Sequence, residues 1–311
     1  MTVRTFIARR RWLSLGLLAL FLAVGLPYGC SRLAYKEREL LFNIQPGTAG
    51  WFNGLPSGVR EMQIPLSDGL AGRDYLHAWW WPSSRADAPT ILYLHGTRWN
   101  LTAQVGRITQ LRELGFSVLA IDYRGFGDSP GGLPSERSVY QDAGNAWKRL
   151  VQLQPDARKR YIYGHSLGGA VAVDLAERLA GDKQSAKAAG LIIESTFTDL
   201  GDAARAAIPT SLPVRWILSE KFDSIDKINQ IGIPVLIVHG TDDPYVPSRF
   251  SKALYEAAAQ PKHLLLIKGG NHINSMILGS REYAKALRQA FAGFPAPIAT
   301  GFAGQNTVNA Q

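Results

Sequence analysis

From Arg60 onward, short and nearly continuous apolar runs alternate with longer amphipathic stretches, and no other feature of the chain constrains its fold as tightly. Arg60–Leu66 and Tyr75–Trp81 read as a hairpin around Ser67-Asp68-Gly69. Further strands are expected at Thr90–Leu94, Ser117–Ile121, Arg160–Tyr163, Gly190–Ile193, Pro234–Val238 and His263–Ile267. Runs this apolar belong in a sheet covered on both faces. Helical periodicity fills the gaps at Ala103–Leu114, Ser138–Leu153, Leu167–Leu179, Ser248–Ala259 and Arg281–Phe291. Two antiparallel opening strands followed by a βαβ series predict an α/β class: a mostly parallel, doubly wound sheet of about eight strands with helices on both faces. Residues 197–231 break the rhythm and are expected to lay one or two short helices over the strand ends as a lid insert. Residues 292–311, rich in Ala, Gly, Pro and Asn, read as a disordered tail.

Composition narrows the partners. The 311 residues are 46% apolar and 19% charged, which is globular and ample for a full core. A net charge of +9 invites a nucleic-acid reading, but residues 1–40 hold seven basic residues against Glu37 and Glu39, more than half of the excess. The rest is mildly basic, with no basic stripe interleaved with aromatics, so no nucleic-acid partner is expected.

The N-terminus instead points to a membrane. Arg9-Arg10-Arg11 precede an uncharged run of fifteen residues, Trp12–Leu26. Extended through Cys30, that run reaches the length that spans a bilayer. Residues 1–34 therefore read as a signal anchor, with the arginines kept inside and the remainder sent to the periplasmic or equivalent non-cytoplasmic side. The only cysteine, Cys30, follows Gly29 and suggests a lipoprotein signal as the alternative, although Pro27 and Tyr28 depart from the usual lipobox. One cysteine excludes an intramolecular disulfide.

Chemistry concentrates at YIYGHSLGGA, Tyr161–Ala170. A serine at the tip of a very tight strand-to-helix turn needs small residues two positions away on each side, and Gly164 and Gly168 flank Ser166 in that way. Ligands of such a sheet bind at the carboxyl ends of the strands. Two other reactive groups follow strands: Asp242-Asp243 after Pro234–Gly240, and His272 within Gly269–Asn274. A serine hydroxyl needs an imidazole to take its proton, and the imidazole needs a carboxylate to fix its tautomer.

Together with that order of Ser, Asp and His, the motifs LHGT (Leu94–Thr97), DYRGFGDS (Asp122–Ser129), GHSLGG (Gly164–Gly169), HGTDDPYVP (His239–Pro247) and GGNH (Gly269–His272) give the chain its family likeness. From about Arg60 to Phe291 it resembles an α/β-hydrolase, of the small membrane-associated serine-esterase kind near the lysophospholipase-like and acyl-thioesterase-like members. The resemblance implies an α/β-hydrolase fold and a catalytic domain over 60–291, with 35–59 as the segment joining it to the membrane. It selects Asp243 over Asp242 as the acid beside Ser166 and His272. It also implies an oxyanion hole from the backbone N–H groups of Thr97 and Leu167, in a family where asparagine is common at the Thr97 position.

The remaining motif residues carry plainer readings. His95, His165 and His239 shape turns beside the site, and His77 and His263 are structural. DYRGFGDS lacks the third glycine of a dinucleotide fingerprint, because position 130 is Pro130, so Arg124 and Asp128 read as an ion-paired turn. Trp79-Trp80-Trp81 is expected to cover the sheet edge, and Arg98 and Trp99 to line an acyl or headgroup pocket. The implied activity is hydrolysis of a carboxylic ester or thioester, small or lipid-like, through an acyl-serine intermediate. No metal or cofactor is expected, and the protein is expected to act as a monomer. An aminopeptidase or amidase on the same residues is the alternative, followed by a non-catalytic membrane-anchored scaffold.

Overall fold

The computed structural model describes residues 26–66, 74–181, 187–208 and 211–295. Eight strands form one sheet: β1 (Arg60–Pro65), β2 (Tyr75–Trp81), β3 (Thr90–Leu94), β4 (Ser117–Ile121), β5 (Arg160–His165), β6 (Gly190–Glu194), β7 (Val235–Gly240) and β8 (Lys262–Ile267). Their order across the sheet is β1-β2-β4-β3-β5-β6-β7-β8. β1 and β2 pair antiparallel, β2 meets β4 antiparallel, and every pairing from β4 to β8 is parallel. This is the mostly parallel sheet that the apolar runs predict. β5 and β7 continue further than expected, so β5 runs directly into the Ser166 turn.

Alternation along each strand divides the interior into two cores, one on each face. Leu92, Leu94, Val235 and Ile237 join the first. It is closed by α3 (Glu136–Leu153), α4 (Leu167–Gly181) and α7 (Arg249–Ala257). Ile91, Tyr93, Leu236 and Val238 join the second, beneath α2 (Val105–Glu113) and α9 (Ser280–Ala290). α3 starts where it does because Ser135 accepts from the Ser138 amide while the Ser138 hydroxyl accepts from the Ser135 amide, a reciprocal cap for the first turn. The lid segment holds two short helices, α5 (Leu200–Ala207) and α6 (Val214–Ile217), and a four-residue α8 (Ser275–Leu278) follows the last strand.

The tryptophan run does not cover the sheet edge. β1 takes that place, and Trp79 is buried against Phe52, with ring centroids 5.9 Å apart. The expected hairpin turn at Ser67-Asp68-Gly69 lies outside the described residues, as do 296–311 of the expected tail. The chain stays packed beyond Phe291, because Phe294 is buried against Phe116 and Tyr161.

A helix that the sequence does not announce, α1 (Leu26–Phe42), precedes the sheet. Its residues from Tyr28 to Leu33 are exposed, whereas Phe42 is fully buried between Phe126 and Phe222, at 6.2 and 6.3 Å. Glu37 accepts hydrogen bonds from the Ser219 amide (2.7 Å), the Ser219 hydroxyl (2.8 Å) and the Glu220 amide (2.8 Å). The end of α1 is thus part of the folded domain. Among the described residues no helix is long and apolar enough to cross a membrane. The apolar run Trp12–Leu26 lies outside them up to its last residue.

Phe42→Ala should therefore destabilise the domain by about 3–5 kcal/mol, the usual cost of emptying a buried aromatic site. Tyr28→Ala, on the exposed part of the same helix, should change stability by no more than about 0.5 kcal/mol. Urea midpoints measured with constant slope check both values.

Candidate active site

Ser166 alone separates β5 from α4. Its φ of +56° lies in the left-handed region, a strain of about 1–3 kcal/mol for a non-glycine residue. The flanking glycines answer to backbone contact. A Cβ on Gly164 would lie 2.0 Å from the Gly168 carbonyl oxygen, and one on Gly168 would lie 2.1 Å from the Leu94 carbonyl oxygen. β3, β5 and α4 therefore approach more closely than any side chain permits. Ser166 N donates to the Glu194 carbonyl at 2.9 Å, which ties the turn to the end of β6. Its Oγ has no hydrogen-bond partner among the described residues.

Asp243 and His272 come together from two other loops. His272 Nδ1 lies 2.7 Å from Asp243 Oδ2. The carboxylate is clamped on its other oxygen by the amides of Tyr245 (3.0 Å) and Val246 (2.9 Å). His239 Nε2 sits 3.3 Å from Oδ2. That nitrogen also donates to the Val246 carbonyl at 2.7 Å, so its proton is on Nε2, and Nδ1 is left to accept from the Ser251 hydroxyl at 2.6 Å. Burial alone would raise the Asp243 carboxyl, yet the hydrogen bonds from His239 and His272 hold it well below the usual carboxylate range. It is an anion, so the neutral form of His272 places its proton on Nδ1, towards the carboxylate, with the Nε2 lone pair pointing away. Asp242 takes no part: it is exposed, and its carboxylate accepts from the Thr241 hydroxyl at 2.7 Å.

Beneath His272 lies His165, with ring centroids 4.7 Å apart. Its Nε2 donates to the His272 carbonyl at 2.9 Å. Burial, reinforced by the Arg107 guanidinium, pushes its pKa well below the ordinary imidazole value and keeps it neutral. His165 thus does more than shape a turn, since it supports the loop that carries His272.

Two backbone N–H groups, the expected oxyanion donors, lie next in the chain to Ser166 or to its close neighbour Gly96. That of Leu167 is the first of α4, beyond reach of any helical carbonyl. Thr97 follows Gly96, where an added Cβ would lie 3.0 Å from Ser166 Cβ, and among the described residues no turn or loop hydrogen bond uses the Thr97 amide. Arg98 and Trp99 lie in the loop after β3. They gather around Trp51, which the sequence reading leaves in the joining segment. The Arg98 guanidinium is 5.8 Å from the Trp51 ring, and Trp99 meets that ring edge-on at 5.9 Å. No local pattern in the sequence links Trp51 to this place.

Arg124 does not pair with Asp128 as the sequence suggests. Gly125 and Gly127, both at positive φ, reverse the chain and turn Arg124 towards α3, where Nε meets the buried Asp142 at 2.7 Å. Asp128 instead stands near Glu61 and His77, the one group among the described residues whose side chains could hold a metal ion. His77 already bridges Asp122 and Glu61 there, at 3.1 Å to each.

Residues 86–227 match the family model described as serine aminopeptidase, S33. An uncharacterized protein of Mycobacterium tuberculosis is 33% identical over 256 residues, which covers 82% of this chain and 86% of that one. The lysophosphatidylserine lipase ABHD12 of Danio rerio is 37% identical over 242 residues, covering 72% of this chain and 59% of the lipase. The structure of an esterase from Pyrococcus furiosus superposes with a TM-score of 0.59 at 20% identity, over 79% of this chain and 97% of the esterase.

If backbone contact is what demands the elbow glycines, Gly164→Ala should destabilise the protein by about 3 kcal/mol or prevent its folding, because nothing around it can repack. Gly106→Ala, where an added Cβ meets nothing within 4 Å, should be neutral or stabilising by up to about 1 kcal/mol. Thermal unfolding of the two variants checks the contrast.

Proposed function

The chain belongs to the α/β-hydrolase family and is a hydrolase; from this we propose that it cleaves carboxylic esters or thioesters through an acyl intermediate on Ser166. The observation that carries the reading is the 2.7 Å bond between His272 Nδ1 and an Asp243 held ionised. It leaves His272 Nε2 as a base on a loop beside the strained Ser166 turn. As Ser166 Oγ attacks the acyl carbon, Nε2 takes the hydroxyl proton, and Asp243 stabilises the imidazolium that forms. The amides of Thr97 and Leu167 receive the developing oxyanion. His272 then protonates the leaving alcohol or thiol, and water releases the acyl group by the same steps in reverse. Ser–His contacts are commonly long in unliganded enzymes and tighten when substrate binds. No step calls on a metal or a cofactor.

The surroundings favour an apolar acyl group. Tyr245 and Ile273, from the loops that carry Asp243 and His272, and Ile277 and Leu278, from α8 just beyond, are large apolar side chains, all more than half exposed. The Tyr245 ring meets the His272 ring edge-on at 5.6 Å. Arg98 and Trp99 suit the opposite part of the substrate, where a cation beside aromatic rings can hold a headgroup. The relative named as a lysophosphatidylserine lipase fits this reading. An aminopeptidase or amidase activity, which the name of the matching family model suggests, is the second reading.

Ser166→Ala should lower turnover of p-nitrophenyl esters by about 10³-fold or more while leaving the unfolding midpoint in place. Asp243→Asn should cost orders of magnitude through the wrong imidazole tautomer, whereas Asp242→Asn should cost less than about threefold. Near-normal turnover in Ser166→Ala, or the reverse ranking of the two acids, contradicts the assignment. Faster release of p-nitroaniline from aminoacyl anilides than of p-nitrophenol from esters would favour the second reading.

We also propose that residues 1–34 tether the enzyme to a membrane as a signal anchor, with the catalytic domain on the non-cytoplasmic side and acting as a monomer. Support comes from the arginine-flanked run Trp12–Leu26 and from α1, whose exposed start continues that run while Glu37 and Phe42 fix its end to the domain. Deleting residues 1–34 removes the run but keeps both anchors. The product should be soluble, turn over small water-soluble esters at the wild-type rate, and lose rate only on esters embedded in vesicles. A truncated protein that still sediments with membranes contradicts the tether. Protease added to intact cells should remove the domain. If Cys30 is acylated instead, Cys30→Ser will change mass and detergent partitioning; unchanged behaviour leaves the anchor.

A further inference from the structure

We propose that Arg107 is a positioning residue that sets the distance between the His272 loop and the Ser166 turn through its buried ion pair with Glu194. The proposal rests on the acyl-serine reading and deepens it.

Arg107 lies on α2, 59 positions before Ser166, and only 9% of its surface is exposed. Nη1 donates to Glu194 Oε1 at 2.6 Å and to the Tyr163 hydroxyl at 3.1 Å. Nη2 donates to two main-chain carbonyls of the histidine loop, Ile273 at 3.0 Å and His272 at 3.4 Å. Glu194, fully buried at the end of β6, accepts from Ser275 Oγ (2.6 Å), Tyr163 (2.8 Å) and Tyr283 (3.2 Å). Its own carbonyl oxygen accepts the Ser166 amide at 2.9 Å. The charged pair therefore ties the histidine loop to the end of β6, and the main chain of that same strand end holds the Ser166 turn.

The loop's internal shape does not depend on that pair. Asn271 Oδ1 accepts from the amides of Ile273 and Asn274, and Asn274 Oδ1 accepts from the Asn271 amide, so the turn closes on itself. What the turn lacks is a fixed position relative to Ser166. Asp243 holds the His272 ring from the side of β7, while His165 and the fork of Arg107, with Ser275 on Glu194, attach the loop on the side of β5 and β6. A guanidinium does this where an ammonium cannot, because its donors diverge in one rigid plane and reach an acid and two carbonyls together. Burying the two charges is a poor route to stability, since apolar residues of similar volume commonly hold a fold as well or better. Directional placement is what the ion pair adds here.

The test separates placement from stability. Arg107→Met alone leaves Glu194 as an uncompensated buried charge, so it should lose both stability and turnover. Arg107→Met combined with Glu194→Gln removes both charges while keeping an acceptor for Ser275 and the tyrosines. That double variant should regain the wild-type unfolding midpoint, yet keep a kcat loss of about 10- to 100-fold with KM within twofold, the scale of a small misplacement of reacting groups. Arg107→Lys keeps the charge and the fold but cannot span both carbonyls, and it should lose about tenfold in kcat. A double variant that regains both midpoint and kcat, or a lysine variant with kcat within twofold of wild type, overturns the proposal. If the double variant does not fold, the lysine variant decides alone. Ser166→Ala is measured alongside: turnover that survives it defeats the acyl-serine reading itself, whereas full kcat in the Arg107 variants with Ser166 still required defeats only the positioning role.

Discussion

At Ser166 the chain passes from strand to helix in a single residue, and the backbone contact this forces governs much of the molecule. Gly164, Gly168 and the Leu94 carbonyl meet at distances that exclude a Cβ. The two central strands, β3 and β5, can therefore be placed only one way relative to α4. That close approach brings Gly96, at the end of β3, against Ser166, and the turn holds the serine in the left-handed conformation. Regular packing of the two cores supplies the rigidity that over-determines this strained residue.

Around that turn the site is built from charges whose positions are set by their neighbours. Asp243 stays ionised because His239, His272 and two amides all donate to it, and it in turn fixes the tautomer of His272. His165, kept neutral by burial, and Arg107, kept charged beside Glu194, hold the far side of the same loop. A protein that needed only a stable fold would gain little from so many buried polar groups. Here each of them ends on a main-chain or side-chain atom of the elbow, the acid loop or the histidine loop.

Much of this was legible in the sequence, and the reasons are local. Strands buried on both faces read as continuous apolar runs, so Thr90–Leu94 and Ser117–Ile121 come out at the bounds the structure gives. The glycines around Ser166 announce a tight turn, and the strand-end rule places Asp243 and His272 on neighbouring loops. What escaped depends on pairing between distant segments. Arg107 looks like any polar residue of an amphipathic helix until α2 is laid over the strand ends. Proximity in the chain pairs Arg124 with Asp128, but two positive-φ glycines turn it towards Asp142 on α3. The tryptophan run sits one strand inside the edge because the short β1 pairs beyond it. Trp51 and the docking of α1 through Glu37 and Phe42 carry no periodic signal, since each rests on contacts with remote segments.

We propose that Ser166 is a nucleophile activated by His272. The most direct test of that role is labelling of the folded protein with a fluorophosphonate, followed by peptide mass spectrometry. One covalent adduct is expected, on the peptide that contains Ser166, formed rapidly by the wild-type protein and slowed by orders of magnitude in His272→Ala. An adduct on another serine, or labelling of Ser166 at the same rate without His272, would contradict that role.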